Sequence, residues 1–360
     1  MTASRLTLGL VFTGLALLMG ACSDGSDRRA APDTLAQGAL AAGIEFGAAI
    51  DWDLSEPRRR ILAREFTSAT VENSLKWQSL APTPGNYDFT RADAAVAIAE
   101  DNGLRIRGHT LFWSRLNGLP TWLEAELAAS ENPVRLLEAL MQAHAAIVVG
   151  RYAGRIAQWD VINEPLALLS GEFEPDNPFF NVLGEAYIDI GLRAAHAADP
   201  NATLFVNETS VEFLPAKFDS LIALAERLLA RGVPLHGIGL QAHFIFLPPD
   251  REQLEAQLAR VAALGLQVEL TELDIALPLF ANTPDPLAAQ AQAYADVVAA
   301  CLAVPACTGI TTWGIDDDNS WLDSFELSAA NAPNRPLLFA ADGVPKPAYQ
   351  SVLLTLRSAR

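Results

Sequence analysis

The sequence predicts an α/β protein folded as a single (β/α)8 TIM barrel. Three observations carry that expectation. There are eight short apolar runs of strand type, each is followed by a longer amphipathic stretch, and 360 residues suit eight such units in one domain. A doubly wound open sheet is the alternative, and eight strand-helix units fit it less well.

The strand runs, in order, are Ile44 to Asp51, Ser68 to Trp77, Arg105 to Trp113, Ile156 to Glu164, Ala202 to Thr209, Gly237 to Phe244, Gln267 to Ile275 and Gly309 to Ile315. Helical stretches alternate with them. Examples are Ser55 to Phe66, Arg91 to Asp101, Pro133 to Tyr152, Leu183 to Ala198, Arg251 to Leu264 and Pro286 to Val304. No internal repeat of fixed period interrupts the pattern.

The region ahead of the barrel reads differently. Arg5, an apolar run from Leu6 to Leu18 and then Met19-Gly20-Ala21-Cys22 have the layout of a secretory signal over residues 1–21. Small residues directly before a cysteine resemble the lipobox of bacterial lipoproteins, which makes Cys22 a lipidation candidate. An ordinary cleaved signal is the alternative. Either way the protein is expected to be exported, as an envelope lipoprotein or in secreted form, and to touch a membrane only through its N-terminus. Residues 22–38 are polar, rich in Ala and Pro and without periodicity, so they read as a tether, with the folded domain over 39–360.

Composition removes several functions. The formal charge is -18 and no window concentrates Lys or Arg, so nucleic acid is not an expected partner. With 51% hydrophobic residues the chain can form a core along most of its length. Cys301 and Cys307 flank a short segment in a compartment that permits disulfides, and a bridge is expected over two free thiols. No His or Cys pair near them suggests zinc. No metal or other cofactor is expected, and the chain is expected to be a monomer.

Alternation within the strands points to chemistry, because successive side chains face opposite sides of a strand. In Gly237 to Phe244 one face carries Ile238, Leu240, Ala242 and Phe244, and the other Gly237, Gly239, Gln241 and His243. The same parity places Asp160, Ile162 and Glu164 together, and Leu270, Glu272 and Asp274 together. Carboxylates inside a barrel are costly unless paired or used, and these cluster toward the strand C-termini, where barrels carry their active sites. Glu164 and Glu272 are therefore aimed at one mouth. Two such acids, without a Ser-His-Asp arrangement, a metal pattern or a phosphate loop, suit glycoside hydrolysis, in which one protonates the leaving oxygen and the other attacks the anomeric carbon or activates water. The dinucleotide-like spacing of glycines from Gly237 to Ala242 lies within a strand and opens no helix, so it carries no such reading.

Specific motifs now accumulate. Val71-Glu72-Asn73-Ser74-Leu75-Lys76-Trp77, Trp159-Asp160-Val161-Ile162-Asn163-Glu164-Pro165, Gly237 to His243 and Thr271-Glu272-Leu273-Asp274 resemble, in order, the motifs of glycoside hydrolase family 10. Thr312-Trp313-Gly314, Ser320-Trp321 and Pro345-Lys346-Pro347-Ala348-Tyr349 extend the resemblance to the C-terminus. It implies a retaining endo-β-1,4-xylanase on a (β/α)8 barrel, with xylan or xylo-oligosaccharides as substrate. By the same resemblance Glu164 corresponds to the general acid/base and Glu272 to the nucleophile. Asn163 corresponds to the residue holding the sugar 2-hydroxyl, and His243 and Asp274 to partners that orient the nucleophile. Glu72, Asn73, Lys76, His109, Trp113, Gln241, Trp313 and Trp321 correspond to positions lining the glycone subsites, and Cys301 and Cys307 to a pair bridged in some relatives. The tryptophans suit a sugar because indole rings pack on its apolar faces.

The chain also departs from the family pattern. Trp-His-Ser-Gln-Leu-Pro after the third strand is replaced by Trp113-Ser114-Arg115-Leu116-Asn117-Gly118-Leu119-Pro120, Asn-Asp-Tyr-Asn after the fifth by Asn207-Glu208-Thr209-Ser210, and Leu322 stands where Arg commonly follows the second Trp. An altered glycone contact and a missing aglycone aromatic follow, which leaves room for another β-linked glycan. Two competing functions come from other classes. A glycan-binding surface lipoprotein would not need the acids and their partners, and a metal-assisted lyase or isomerase would need clustered ligands. His144 and His196, in helical stretches, and His236 before a strand carry no functional signal.

Overall fold

A computed structural model describes residues 33–115, 118–324 and 333–359. The expected leader, Cys22 and most of the expected tether lie outside the described residues. The strands are β1 (Glu45–Ile50), β2 (Ser68–Val71), β3 (Arg105–Trp113), β4 (Gln158–Asn163), β5 (Thr203–Glu208), β6 (Gly237–Leu240), β7 (His243–Phe244), β8 (Gln267–Ile275) and β9 (Cys307–Thr312). Among the described residues every pairing between these strands is parallel, and contact of β6 with β8 closes the ring. Because β7 continues β6 past Gln241 and Ala242, there are eight barrel positions, and each coincides with an expected run. The second run is shorter than expected: β2 stops at Val71, a turn closes with Lys76 N–H donating to the Asn73 carbonyl, and a short helix begins at Trp77.

Helices form where the sequence supplies both a periodic apolar face and a start signal. Asn132, Asp250 and Asp285 accept from the backbone N–H of Arg135, Gln253 and Ala288, capping Pro133–Arg151, Arg251–Ala263 and Pro286–Ala303. Proline opens the first and third of these, where its missing N–H costs nothing. The first helix, Leu35–Ala42, corrects the domain boundary. Residues Leu35 to Gly38 of the expected tether belong to it, because Leu35 and Ala39 are fully buried and the Leu35 N–H donates to Glu65. Cys301 and Cys307 are bridged, as expected, joining the end of helix Pro286–Ala303 to the start of β9. Among the described residues no helix is long and apolar enough to cross a membrane.

Strand parity needs a correction in two places. The register slips between Asp160 and Ile162 in β4, and between Leu270 and Leu273 of β8 against β9. Each irregularity lets consecutive residues change face, as a bulge does. Asp160 points inward as expected, but Ile162 packs outward on helix Ala186–Ala198 at Gly191, and Asn163 turns in instead. On β8 the inward residues are Glu269 and Thr271 rather than Leu270, and Glu272 and Asp274 turn in beyond them.

The N-terminal half of the barrel is filled by charge rather than by aliphatic layers alone. Arg107 reaches Asp160 through Nε at 3.0 Å and Glu269 through Nη1 at 2.9 Å, and its guanidinium lies 4.4 Å from the centre of the Phe205 ring. A side chain at Gly237 would place its Cβ 2.2 Å from that ring, so only glycine leaves room for this layer. Glu269 also accepts from Gln158 and Thr308. Burial pushes Asp160 up, but Arg107 and His109 outweigh it and hold the carboxyl below the ordinary range. Removing one partner of a buried ionic cluster leaves the others uncompensated, so Arg107→Met should cost about 3–5 kcal/mol of unfolding free energy. Urea denaturation checks this, and a loss under about 1 kcal/mol would contradict the assigned role.

Candidate active site

Above the ionic layer the strands open into a cleft of about 740 Å³. Its walls contain the amides, rings and lysine expected there and every expected acid but one, from Glu72, Asn73 and Lys76 after β2 to Trp313 and Trp321 after β9. Asp274 alone of the expected set stands behind the lining, against His243. Three non-glycine residues with left-handed backbone edge this mouth: Glu164 (φ 51°), Ser210 (φ 63°) and Ala242 (φ 61°). Such conformations are disfavoured and persist only when the surroundings fix them. At Glu164 the turn redirects the chain as β4 ends, so the carboxylate faces the cleft.

Glu272 is held by donors from two other strands, β5 and β7. Asn207 Nδ2 donates to Oε1 at 2.7 Å and His243 Nε2 to Oε2 at 3.1 Å, with His109 Nδ1 3.9 Å from Oε1. Burial pulls the His243 imidazole down. The Asp274 carboxylate, 3.0 Å from Nδ1, and Glu272 together outweigh it, and the pKa is pushed up to about 10. His243 is therefore a cation near neutrality, donating from Nε2 to Glu272 and ion-paired through Nδ1 with Asp274. Trp321 Nε1 donates to Asp274 at 2.8 Å, which fixes the far end of this chain of contacts.

Asn207 is one site residue that sequence reasoning missed. Besides Glu272, its amide N–H reaches Asn163 Oδ1 at 2.8 Å, and its Oδ1 accepts from Thr271 at 2.6 Å. A Cβ at Gly239 would fall 2.2 Å from that oxygen, so the glycine keeps the amide in place. The available signal was its position: a polar residue near the C-terminal end of β5, on the same face as the inward Phe205.

Glu164 has a different setting. Oε1 accepts from Gln241 Nε2 at 3.0 Å and lies 3.5 Å from Asn163 Nδ2, whereas Oε2 lies 3.5 Å from Arg115 Nη1. Behind it Glu208 is fully buried and accepts from the Leu166 and Thr209 N–H groups. Burial pushes Glu208 up to about 7, against Lys217, whose Nζ is 2.9 Å away. Neither Arg115 nor Glu208 was expected from sequence as a site residue, although both lie in the segments that depart from the family pattern.

On the other wall, burial holds Lys76 below the ordinary lysine range even though Glu72, Glu272 and Glu164 oppose it. Its Nζ donates to Asn73 at 2.7 Å and lies 4.8 Å from the Trp113 ring centre. Trp113 and Trp313 are only 8% and 6% exposed, so each offers part of its ring to the cleft. His144 is structural: it stacks on Trp77 with centroids 4.2 Å apart, and burial pushes it down to about 3. Among the described residues no cluster of His, Cys, Asp and Glu could hold a metal ion.

Two acids toward the ends of β4 and β8 thus face one cleft, one gripped by a cation and an amide, the other approached by two amides on one oxygen and a guanidinium on the other. The pattern of Glycosyl hydrolase family 10 matches residues 34–355. The chain belongs to that family. It is therefore a glycoside hydrolase. It is 38% identical over 293 residues to endo-1,4-beta-xylanase A of Phanerodontia chrysosporium, covering 80% of this chain and 67% of that one. With the beta-1,4-xylanase of Dictyoglomus thermophilum it shares 36% identity over 302 residues, covering 81% and 83%. Among solved structures, native xylanase 10B of Thermotoga maritima superposes with a TM-score of 0.83 at 32% identity, covering 90% of this chain and 98% of that one. Xylanase 10B of Thermotoga petrophila, solved with xylobiose, gives the same TM-score and identity, covering 91% and 98%.

The departures from the family 10 pattern can now be located. Thr209 and Ser210 line the cleft where the pattern has an aromatic, and Phe213 and Phe246, in edge contact at 6.4 Å, line the wall nearby. Leu322 is fully buried.

The raised pKa of His243 has a testable consequence. Its folded pKa of about 10 exceeds the unfolded value near 6.5, so its contribution to stability is complete below about pH 6.5 and fades as pH rises through 10. His243→Gln should flatten the alkaline decline in stability by on the order of 1 kcal/mol per pH unit in that window. Calorimetric melting from pH 6 to 10 measures it, and an unchanged slope would show that the imidazole is not charged in the folded state.

Proposed function

We propose that this family 10 chain is a retaining endo-β-1,4-xylanase acting on xylan or xylo-oligosaccharides, with Glu164 as general acid/base and Glu272 as nucleophile. The observation that carries the assignment is the unequal setting of the two acids. Donors aimed at both oxygens of Glu272 favour a carboxylate that must attack carbon. Glu164, with one oxygen outside the amide contacts, is free to carry and release a proton. In the first step that proton passes to the glycosidic oxygen as a Glu272 oxygen bonds to the anomeric carbon and the carbon–oxygen bond to the leaving sugar breaks. In the second, the Glu164 carboxylate takes a proton from water, whose oxygen displaces Glu272 and restores the original configuration.

Asn163, between the two acids, is placed to meet a hydroxyl beside the reacting carbon. Lys76, Asn73, Glu72 and Gln241 supply donors and acceptors for neutral hydroxyls, with Trp113, Trp313 and Trp321 as apolar surface. Xylan and xylobiose enter this reading from the names of the relatives and from the solved complex. Glu272→Gln should abolish covalent labelling by a 2-fluoro-xylobioside. Glu164→Gln should slow xylan hydrolysis by roughly 10²- to 10⁴-fold while sparing kcat/KM, though not kcat, for substrates with activated leaving groups. Labelling that persists in the Glu272 variant, or product of inverted configuration, would overturn the assignment.

We also propose that the chain is exported and held at the cell envelope by a lipid on Cys22, working there as a monomer. The reading rests on Arg5, the apolar run to Leu18 and the small residues before the cysteine. Radiolabelled palmitate should enter the full chain in its host and be lost in Cys22→Ala. Equal labelling of both proteins would refute lipidation at this residue.

A further inference from the structure

Arg115 lies in the segment after β3 where the chain departs from the family pattern, and its guanidinium crosses to the loop after β4. Nη2 pairs with Glu174 and donates to the Leu166 carbonyl at 3.1 Å, while Nη1 stands 3.5 Å from Glu164 Oε2. The side chains of Arg115, Glu174 and Glu164 are 20%, 16% and 11% exposed, so the contacts are made in a partly desolvated wall and not in bulk water. The other oxygen of Glu164 accepts from Gln241. The transferable proton therefore belongs on Oε2, the oxygen facing Arg115. A guanidinium has donors only. It interacts weakly with Oε2 while that oxygen carries a proton, and strongly once the proton has gone.

We propose that Arg115 is a positioning residue that stabilises Glu164 as it becomes a carboxylate in the first transition state, an inference that rests on the acid/base assignment above. In that step the Oε2–H bond breaks, the glycosidic O–H bond forms, and the electron pair left on Glu164 faces a fixed cation. The interaction is stronger in the transition state than in the ground state, which is the condition for raising a rate. In the second step the order reverses. Glu164 begins as a carboxylate beside Arg115 and ends protonated, so the cation stabilises the starting state and gives no acceleration. Glu174 and the Leu166 carbonyl hold the guanidinium in place for both steps.

The two steps can be read separately. Arg115→Met should lower kcat/KM for xylo-oligosaccharides, whose leaving group needs a proton, by roughly 10- to 100-fold. For a dinitrophenyl xylobioside, which needs no proton to depart, kcat/KM should be unchanged, and kcat, set by the second step, should be unchanged or higher. Arg115→Lys should recover part of the loss, and Glu174→Gln, which removes the anchor but keeps the cation, should reproduce the same selectivity at smaller size. Should the methionine variant fail to fold, this pair still decides the matter. An equal fall on both substrates, or no change on either, would overturn the role of Arg115. Glu164→Gln measured alongside separates the two claims. If it lacks leaving-group selectivity, the acid/base assignment fails and takes this inference with it. If it shows selectivity that the Arg115 and Glu174 variants lack, only the role of Arg115 falls.

Discussion

Compensation of carboxylates inside the barrel is the constraint on which the rest of the structure depends. Asp160, Glu269, Glu272 and Asp274 are all nearly or wholly buried, and isolated burial of any one of them in an ionised state would cost several kcal/mol. Arg107 meets the first two and His243 the last two, with His109 between the groups, 3.0 Å from Asp160 and 3.9 Å from Glu272. The arrangement is a column along the barrel interior that begins as structural ion pairing and ends as chemistry. Energetically the two halves are one problem, since the partners that make Glu272 tolerable inside the barrel also keep it oriented toward the cleft.

Convergence at the mouth depends on departures from ideal strand geometry. A regular strand shows every second residue to the interior, which would give the cleft either Asn163 or Glu164 but not both. The register slip after Asp160 turns Asn163 inward, and the left-handed backbone at Glu164 then brings the next residue round as well. On β8 a second slip lets Thr271 and Glu272 both face Asn207. Local strain of this kind is sustained by the surrounding ladder, in which Glu164 N–H donates to the Asn207 carbonyl and Glu272 N–H to that of Gln241.

The same departures explain what could be read from sequence. Fold class, the eight strand positions and the two acids follow from periodicity and from the gathering of polar residues at strand ends, because those signals are local. The neighbours of Ile162 and Leu270 do not, since a bulge leaves no mark in alternation and moves only the residues beyond it. The role of Asn207 depends on a contact with a residue 65 positions away, and nothing near it in the chain announces that partner. Leu35 looked like tether because what holds its helix is distant in sequence: Gly38 lies against Leu353 and Leu356 of the C-terminal helix Pro347–Ser358, and the Leu35 N–H donates to Glu65.

The two acids also differ in what their surroundings permit to change. Glu272 takes its partners from barrel strands and their immediate continuations, β5 and β7, whose positions are fixed by the closed ring. Glu164 stands just past the end of β4 and shares its outer oxygen with Arg115, a loop residue anchored on another loop. Loops tolerate replacement that strands do not. It is consistent with this division that the insertion after β3 alters the environment of Glu164 while the partners of Glu272 follow the family pattern. A barrel of this kind can thus vary the surroundings of Glu164 without disturbing those of Glu272.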